Sequence, residues 1–460
     1  MGVSIDAETD SHIFAQMIRN ILLIGAGRSS ASLIQYLLDH SKDEQWTLTV
    51  ADVSEEEATK KINNHPNGRA IRFDINDEKQ RIAEIGAAGI VISMLPANMH
   101  LPVALECVSQ KKSLLTASYI SPEMKALESQ VIANGSLFLN ECGLDPGLDH
   151  MSAMKIIDSI HASGGEITSF KSCTGGLVAP ESNDNPWGYK FSWNPRNVIL
   201  AGQGTAKYIS GGRYHYVPYN RLFGEAVVIK VDETSFDGYA NRDSLAYRKT
   251  YGLDHIPTMI RGTLRQLDFC KAWNVFVQLG ITDDSYKVEN SESLTYAQFI
   301  EAFLPSSSKG TALDKLIEFA GEPADSELIR KIIWTGVLED KPIGLKNASP
   351  AQVLQQLLET KWVLKDGDRD MIVMQHEFVF NDKEKAGKKI TSSLVVKGED
   401  RLHTAMAKTV GLPLAIAARL ILNGKIRIKG IHIPVQKEIY EPVLSELEKM
   451  KIVFSEKELL

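Results

Sequence analysis

Short apolar runs alternate with amphipathic stretches along the first 145 residues of the chain. Strands are predicted at 20–25, 47–52, 70–75, 89–95, 113–119 and 136–141. Helical patterns begin near Ser29, Ser54, Asp77, His100, Pro122 and Gly147. Because the strands are almost continuously apolar and alternate with helices, the pattern predicts an α/β fold with a doubly wound parallel sheet. Such sheets bind ligands in the loops at the carboxyl ends of their strands.

The pattern beyond residue 145 is mixed. Residues 165–177 and 371–380 are predicted to be extended, whereas residues 260–280 and 349–363 have helical spacing. The segment 306–310, three serines followed by Lys-Gly, predicts a surface loop within the helical part. These stretches indicate that the remainder of the chain combines a sheet with a largely helical region.

Composition narrows the class of protein. A chain of 460 residues is expected to form two or three domains. Its net charge of −7 offers no positive excess for nucleic acid or an anionic membrane, so neither partner is expected. Four cysteines without paired spacing predict reduced, buried thiols. The first nineteen residues lack the features of a signal peptide, and no apolar run approaches the roughly 18 residues that a membrane-spanning helix needs, so we expect a cytoplasmic protein.

The loop after the first strand carries the strongest local motif. Gly25, Gly27 and Ser30 form a Gly-x-Gly-x-x-Ser pattern between a strand and a helix. The first glycine permits a tight turn, and the second lets the backbone approach a pyrophosphate at the helix N-terminus. Ser30 replaces the usual third glycine but is small enough for close packing. The motif predicts a Rossmann-type dinucleotide site, the alternative being an ordinary turn.

The end of the second strand bears on the choice of dinucleotide. A carboxylate at Asp52 would accept hydrogen bonds from the adenosine ribose and repel a 2′-phosphate. Val53 and the glutamates that follow offer no arginine to hold that phosphate. This favours NAD over NADP. The alternative is that Asp52 caps the next helix.

Seven blocks of sequence resemble the saccharopine dehydrogenase family, in particular its glutamate-forming type, also called saccharopine reductase. They are SYISP (118–122), GLDPGLDHMSAMKIID (143–158), GGLVAPESNDNPWGYKFSW (175–193), NRDS (241–244), IRGTLR (260–265), RDMIVMQH (369–376) and AMAKTVGLPLAIAARLILNGKI (405–426). The blocks stand in family order and span nearly the whole chain. The resemblance implies a nicotinamide-dependent oxidoreductase of lysine metabolism that interconverts saccharopine with L-glutamate and 2-aminoadipate 6-semialdehyde.

The resemblance also implies a domain organisation. After an N-terminal extension (1–19), a Rossmann domain spans 20–145 and a middle α/β substrate domain spans 146–250 and 366–402. A mostly helical insertion covers 251–365, and the C-terminal segment 403–460 returns to the Rossmann domain. The sequence leaves the oligomeric state open, and a homodimer is one assembly compatible with it.

Residue roles follow from the resemblance. Cofactor contacts are implied, together with the motif, at Gly25, Ala26, Gly27, Arg28, Ser30, Asp52, Asp74, Ile75, Leu144, Asp145, Pro146 and Asn194. Substrate contacts are implied at Ser118, Tyr119, Asp145, Arg242, Thr263, Leu264 and Arg265. Three positions depart from the family pattern: Val53 stands in place of an arginine in fungal members, Asn194 in place of a serine and Thr174 in place of a cysteine. The valine at position 53 leaves open whether the cofactor is NAD or NADP.

The chemistry of saccharopine explains the residue types. Its three carboxylates call for arginines, of which Arg242 and Arg265 are the candidates, with Arg196 and Arg261 in reserve. Asp145 and Tyr119 are candidate catalytic residues for positioning the amine and relaying a proton. Without the resemblance, the arginines would be interpreted as surface residues. The alternative for Asp145 is a structural role, since Asp-Pro-Gly at 145–147 is strong turn chemistry and its carboxylate can cap the helix that follows. Asp149 and His150 are expected to be structural.

Two other functions remain compatible with the sequence. One is a related imine reductase, such as a carboxynorspermidine or homospermidine-forming enzyme, whose substrate has fewer carboxylates. The other is a non-catalytic NAD-binding protein. No cluster of histidine and acidic residues predicts a metal site.

Overall fold

The computed structural model describes residues 19–383 and 385–459, and the predicted N-terminal extension therefore lies almost wholly outside the described residues. The chain divides into two compact units. The first contains residues up to 148 together with 410–446, and the second contains 149–409 and 447–460. The boundaries of a separate middle domain and helical insertion stay a prediction.

The first unit alternates strands and helices as the sequence predicts. Its elements up to residue 139 are β1 (Asn20–Ile24), α1 (Ala31–Asp39), β2 (Thr47–Asp52), α2 (Glu55–Ile62), β3 (Gly68–Arg72), α3 (Glu78–Gly86), β4 (Ile90–Ser93), α4 (His100–Ser109), β5 (Ser113–Thr116), α5 (Pro122–Lys125), α6 (Glu128–Ala133) and β6 (Leu137–Leu139). Three of these helices begin at a residue that caps them. Ser54, Asp77 and Ser121 each accept a backbone hydrogen bond as the N-cap of the helix that follows.

The strands of the first unit form one parallel sheet. Its order is β15-β6-β5-β4-β1-β2-β3, where β15 (Gly430–His432) comes from the C-terminal part of the chain. The order 3-2-1-4-5-6 is that of a doubly wound dinucleotide-binding sheet, and the order reverses beside β1. The predicted fold class is confirmed. The glycine loop therefore lies at the point of the sheet where ligands are expected.

The described residues of the second unit form a nine-stranded mixed sheet. Its strands are β7 (Glu166–Val178), β8 (Thr205–Ser210), β9 (Arg213–Pro218), β10 (Val227–Val231), β11 (Thr234–Ala240), β12 (Thr258–Gln266), β13 (Asp370–Asn381), β14 (Lys388–Lys397) and β16 (Ser455–Leu459). The main path runs β10-β11-β12-β7-β13-β14-β16, and β8 pairs with both β12 and β9. Two long central strands, β7 and β13, match the stretches predicted to be extended.

The helices of the second unit gather around an apolar core rich in tryptophan and phenylalanine. They are α8 (Pro195–Ile199), α9 (Tyr219–Leu222), α10 (Phe269–Leu279), α11 (Tyr296–Phe303), α12 (Ala312–Ala320), α13 (Glu327–Trp334) and α14 (Pro350–Lys361). The predicted helix over 260–280 is wrong in its first part, where the chain forms the end of β12. The predicted serine-rich loop at 306–310 is confirmed, and it joins α11 to α12.

Among the described residues, three helices cross the division between the units: α7 (Leu148–Ala162), α15 (Ala405–Leu422) and α16 (Lys437–Lys449). The C-terminal segment is thus shared, because residues 410–446 belong to the first unit and 447–460 to the second. The expectation that no apolar segment could span a membrane is wrong for α15, which is long and apolar enough by composition. However, 72% of this helix is buried inside the protein, as is usual for a core helix.

Candidate active site

The glycine loop follows β1 and has two glycines in different situations. Gly25 has a φ of +106°, and a Cβ there would lie 3.0 Å from both the carbonyl carbon and the oxygen of Met94. Gly27 is exposed, and a Cβ there would meet nothing within 4 Å. Glycine at 25 is therefore required by the protein itself, whereas glycine at 27 keeps space open in front of the α1 N-terminus. This arrangement fits a dinucleotide pyrophosphate.

The two glycines give a matched test of this interpretation. We expect Gly27→Val to fold with an unchanged melting temperature but to bind a nicotinamide dinucleotide at least about tenfold more weakly, because its side chain fills the open space. We expect Gly25→Ala to lose about 1–3 kcal/mol of unfolding free energy, because of strain at positive φ and the contact with Met94. Thermal unfolding and isothermal titration would measure both. Unchanged dinucleotide affinity in Gly27→Val would contradict the assignment of the loop.

Asp52, at the end of β2, is tied to the glycine loop. Its Oδ2 accepts a hydrogen bond of 2.6 Å from the Ala26 backbone N–H, and its Oδ1 accepts one of 2.9 Å from Ser54. Ser54 caps α2, so the alternative that Asp52 is the cap is wrong. Val53 beside it is 71% exposed. The carboxylate therefore lies at the predicted position of the adenosine ribose with no arginine next to it in the chain.

The other predicted loop contacts are also placed by the structure. Ala26 is buried and Arg28 is exposed. Ser30 is buried at the start of α1, and its hydroxyl donates to the carbonyl oxygen of Gly27 over 2.8 Å. Lys61 of α2, which sequence reasoning missed, also donates to this loop. The serine thus closes the turn as a third glycine would, while adding a hydrogen bond.

Three predicted cofactor contacts lie elsewhere. Asp74 is exposed after β3 and accepts a hydrogen bond of 2.9 Å from the backbone of Asn76, while Ile75 is buried. Asn194 belongs to the second unit, where its side-chain oxygen caps α8 by accepting from the N–H of Arg196 over 2.9 Å. The structure thus gives Asn194 a local structural role.

A buried histidine joins the ends of β4 and β5. The Nδ1 of His100 lies 2.8 Å from the Ser93 hydroxyl, and its Nε2 lies 2.7 Å from the Ser118 hydroxyl and 3.2 Å from that of Thr116. His100 is 5% exposed, and this burial lowers its pKa to about 4. The predicted substrate contact Ser118 is therefore held by a neutral imidazole. The sequence signal was a histidine at the start of the helix after β4.

The lowered pKa of His100 makes the stability of the protein depend on pH. The unfolded histidine binds a proton below its ordinary pKa of about 6.5, whereas the folded one stays neutral down to about 4. The contribution of the neutral His100 imidazole to the free energy of unfolding is therefore complete above pH 6.5 and is lost as the pH falls toward 4. We expect His100→Gln to reduce the dependence of unfolding free energy on pH in this window by up to about 1.4 kcal/mol per pH unit.

Urea unfolding at intervals between pH 7 and pH 4 would measure this difference. The exposed His161 provides a control, because His161→Gln should keep the wild-type dependence. A wild-type slope in His100→Gln would show that the imidazole is not held neutral.

The two candidate catalytic residues are in contact. The Tyr119 hydroxyl donates to the Oδ1 of Asp145 over 3.3 Å, and both side chains are half-buried. Leu144 and Pro146, on either side of Asp145, are buried, and the Pro146 carbonyl accepts a hydrogen bond from the N–H of Gly143. This compact turn fixes the carboxylate near the carboxyl ends of β5 and β6. Such a pair can orient an amine and pass a proton.

Arg265 on β12 is a buried cation. Its side chain is 4% exposed, and its guanidinium lies 5.5, 5.8 and 5.7 Å from the ring centres of Tyr189, Tyr239 and Phe269. It donates one hydrogen bond, to the Leu264 carbonyl, while its Nε has no partner. The described part of the chain places no carboxylate within ion-pair distance of it. Because a buried charge without a counter-ion is costly, this position is suited to receive an anion.

The neighbours of Arg265 on the sheet are polar on the same face. Thr263 lies two residues before it on β12, and its register partners are Tyr239 on β11 and Thr174 on β7. The Thr174 hydroxyl is buried without a hydrogen-bond partner. The Leu264 side chain points to the opposite face, in an apolar cluster. Any substrate contact by Leu264 would therefore be made by its backbone.

The other candidate arginines differ from Arg265. Arg261 forms a buried ion pair of 2.6 Å with Asp149, and Arg196 forms an ion pair with Asp284. Both reserve candidates are therefore engaged, and Asp149 has the structural role that was predicted. Arg242 is exposed with a φ of +50°, and its carbonyl accepts the N–H of Lys207.

Two further predictions concern cysteine and metal chemistry. All four cysteines are buried thiols, as predicted. Within residues 19–383 and 385–459, no group of three or more histidine, cysteine, aspartate or glutamate residues is arranged to hold a metal ion.

Comparison with known proteins assigns nearly the whole chain. Residues 21–139 match the saccharopine dehydrogenase NADP binding domain, and residues 143–453 match the saccharopine dehydrogenase C-terminal domain. The chain is 32% identical over 446 residues to the NADP(+)-linked, L-glutamate-forming saccharopine dehydrogenase of Schizosaccharomyces pombe, covering 95% of this chain and 98% of that protein.

Two more relatives place this chain in a wider context. It is 34% identical to the mitochondrial alpha-aminoadipic semialdehyde synthase of Bos taurus, covering 95% of this chain but 47% of that longer protein. The structure of apo saccharopine dehydrogenase (L-Glu forming) from Saccharomyces cerevisiae superimposes with a TM-score of 0.86 at 31% identity, covering 96% of this chain and all of that one. The chain belongs to the saccharopine dehydrogenase family.

Proposed function

We propose that this protein is a nicotinamide-dependent saccharopine dehydrogenase of the L-glutamate-forming type, acting in lysine metabolism. The main observation behind this proposal is the Arg265 guanidinium, which is buried and forms no ion pair among the described residues. A substrate with three carboxylates supplies the missing anion, and near full-length similarity to L-glutamate-forming enzymes supports the same substrate. A polyamine-forming imine reductase is not favoured, because its substrate has fewer carboxylates. A purely dinucleotide-binding protein would not need a buried cation to bind a substrate carboxylate.

The reaction removes a hydride from the lysyl-side carbon attached to the secondary amine and leaves an imine. The bound dinucleotide supplies the hydride acceptor, or the donor in reverse. Water adds to the imine carbon, and cleavage of that carbon–nitrogen bond releases L-glutamate and 2-aminoadipate 6-semialdehyde. Asp145 stabilises the positively charged imine, and the Tyr119 hydroxyl, bonded to it over 3.3 Å, relays the proton that moves during hydration. Arg265 binds one substrate carboxylate through charged hydrogen bonds.

The residues of the first unit also bear on the choice between the two dinucleotides. The carboxylate of Asp52 lies where an adenosine ribose is expected, and Val53 replaces the arginine of fungal members. We infer a preference for NAD over NADP, although the fungal relatives are described as NADP(+)-linked. The cytoplasm as its location and a homodimer as its assembly stay predictions.

A direct assay tests the proposed function. Purified protein is incubated with saccharopine and either NAD or NADP, and absorbance at 340 nm is followed. We expect absorbance to rise with both, faster with NAD, and both glutamate and the semialdehyde to accumulate. A folded sample that binds dinucleotide but leaves saccharopine unchanged with either cofactor would exclude the assignment.

A further inference from the structure

Lys61 on α2 reaches back to the glycine loop. Its ammonium group donates to the carbonyl oxygens of Ala26 and Gly27, and it lies 3.2 Å from the hydroxyl oxygen of Ser30. The preceding Lys60 is exposed and pairs with glutamates of its own helix. The two adjacent lysines therefore differ: Lys60 is a surface residue, whereas the side chain of Lys61 is directed into the glycine loop.

The ammonium group of Lys61 is saturated by these contacts. A lysine has three N–H donors, and the loop provides three acceptors. Burial lowers the pKa of Lys61, an effect that Glu57 and Asp52 partly oppose. A half-buried cation placed on backbone carbonyls costs desolvation. Its hydrogen bonds fix the loop and leave no donor directed elsewhere.

The loop is held from two sides as a result. Asp52 accepts the N–H of Ala26 over 2.6 Å, while Lys61 donates to the carbonyl of the same residue and to that of Gly27. Fixing these carbonyls also fixes the peptide planes that follow them. Those planes carry the N–H groups of Gly27 and Arg28, in the loop just before α1, which would face the pyrophosphate.

We propose that Lys61 is a positioning residue that holds the glycine loop ready for the dinucleotide pyrophosphate, acting through the loop carbonyls and not by contact with a 2′-phosphate. The inference rests on the proposed function. Because the pyrophosphate is common to NAD and NADP, the effect of Lys61 is the same for both dinucleotides. Arginine at this position retains donors for the carbonyls, whereas methionine has none.

The test compares Lys61→Met, Lys61→Arg and the control Lys60→Met. We expect Lys61→Met to raise the Kd for NADH and for NADPH by a similar factor, about tenfold, as measured by titration calorimetry of the free protein. Hydrogen–deuterium exchange of the backbone at 25–30 should be faster in the free Lys61→Met variant while its melting temperature is nearly unchanged. Lys61→Arg should restore most of the affinity, and Lys60→Met should match wild type.

Each outcome decides between specific alternatives. A loss confined to NADPH would overturn the proposal in favour of direct contact with the 2′-phosphate. Unchanged Kd values and unchanged exchange in Lys61→Met would overturn it as well. If the wild-type protein bound neither dinucleotide, the proposed function itself would fail. If the wild-type protein bound both and Lys61→Met bound them equally well, only the role of Lys61 would be excluded.

Discussion

Replacing Arg265 with glutamine is expected to lower kcat/KM for saccharopine by about 10- to 150-fold while leaving the Kd for the dinucleotide unchanged. Charged hydrogen bonds contribute about 1.5–3 kcal/mol each, which corresponds to this range. Glutamine keeps a polar side chain of similar length but lacks the charge and the planar fork of donors. Steady-state kinetics with saturating cofactor would measure the loss, and titration calorimetry would measure cofactor affinity.

Arg261 provides a matched control on the same strand. Its guanidinium is buried in an ion pair with Asp149, whereas Arg265 has no such partner among the described residues. Breaking a buried pair leaves an uncompensated charge and costs about 3–5 kcal/mol. We therefore expect Arg261→Gln to lose stability, whereas Arg265→Gln should not, because it breaks no ion pair and removes an uncompensated buried charge.

The opposite pattern would contradict this assignment. If Arg265→Gln unfolded easily and kept the wild-type kcat/KM in its folded fraction, the guanidinium would be a structural cation held by its aromatic neighbours. The exposed Arg221, whose ion pair with Glu225 lies on the surface, gives a third variant for which neither activity nor stability should change.

The first unit could be predicted well because its sequence signals are local. Runs of apolar residues about the length of a strand, Ser54 and Ser121 as caps, and the glycine loop each depend on neighbours in the chain. The alternation of strands and helices predicts a parallel sheet, and the preference for right-handed crossovers limits its possible strand orders. The added strand β15 pairs with β6 although Gly430 and Leu137 are 293 residues apart (430 − 137). The resemblance implied this return of the chain, and no local pattern predicted it.

The second unit and the contacts of the site were harder to predict. The end of β12 was predicted as a helix, because its apolar and polar residues have spacing that suits either structure until the partner strands are known. The burial of Arg265 depends on Tyr189 and Tyr239, which are distant in sequence. His100 and Lys61 likewise gain their roles from tertiary contacts. Residue types predicted the chemistry of the site, and long-range packing decided which residues are partnered.

Changing Asp52 and Val53 together is expected to reverse the dinucleotide preference. We predict that Asp52→Asn with Val53→Arg shifts the ratio of kcat/KM values for NADP over NAD by about 10- to 150-fold, because one charged hydrogen bond to the 2′-phosphate is gained and a repelling carboxylate is removed. Asparagine is chosen over alanine because it retains an oxygen that can accept the N–H of Ala26. Val53 is 71% exposed, so arginine fits there without disturbing the core.

The single variants separate the two effects. Val53→Arg alone should gain NADP affinity only partly, because the Asp52 carboxylate remains within reach of the new guanidinium and competes with the phosphate for it. Asp52→Ala should weaken both dinucleotides, since the loop loses the acceptor at Ala26. If the ratio for the double variant stayed at the wild-type value, the ribose would not lie against β2. In that case Asp52 would serve the glycine loop alone, and the inferred preference for NAD would have no physical basis.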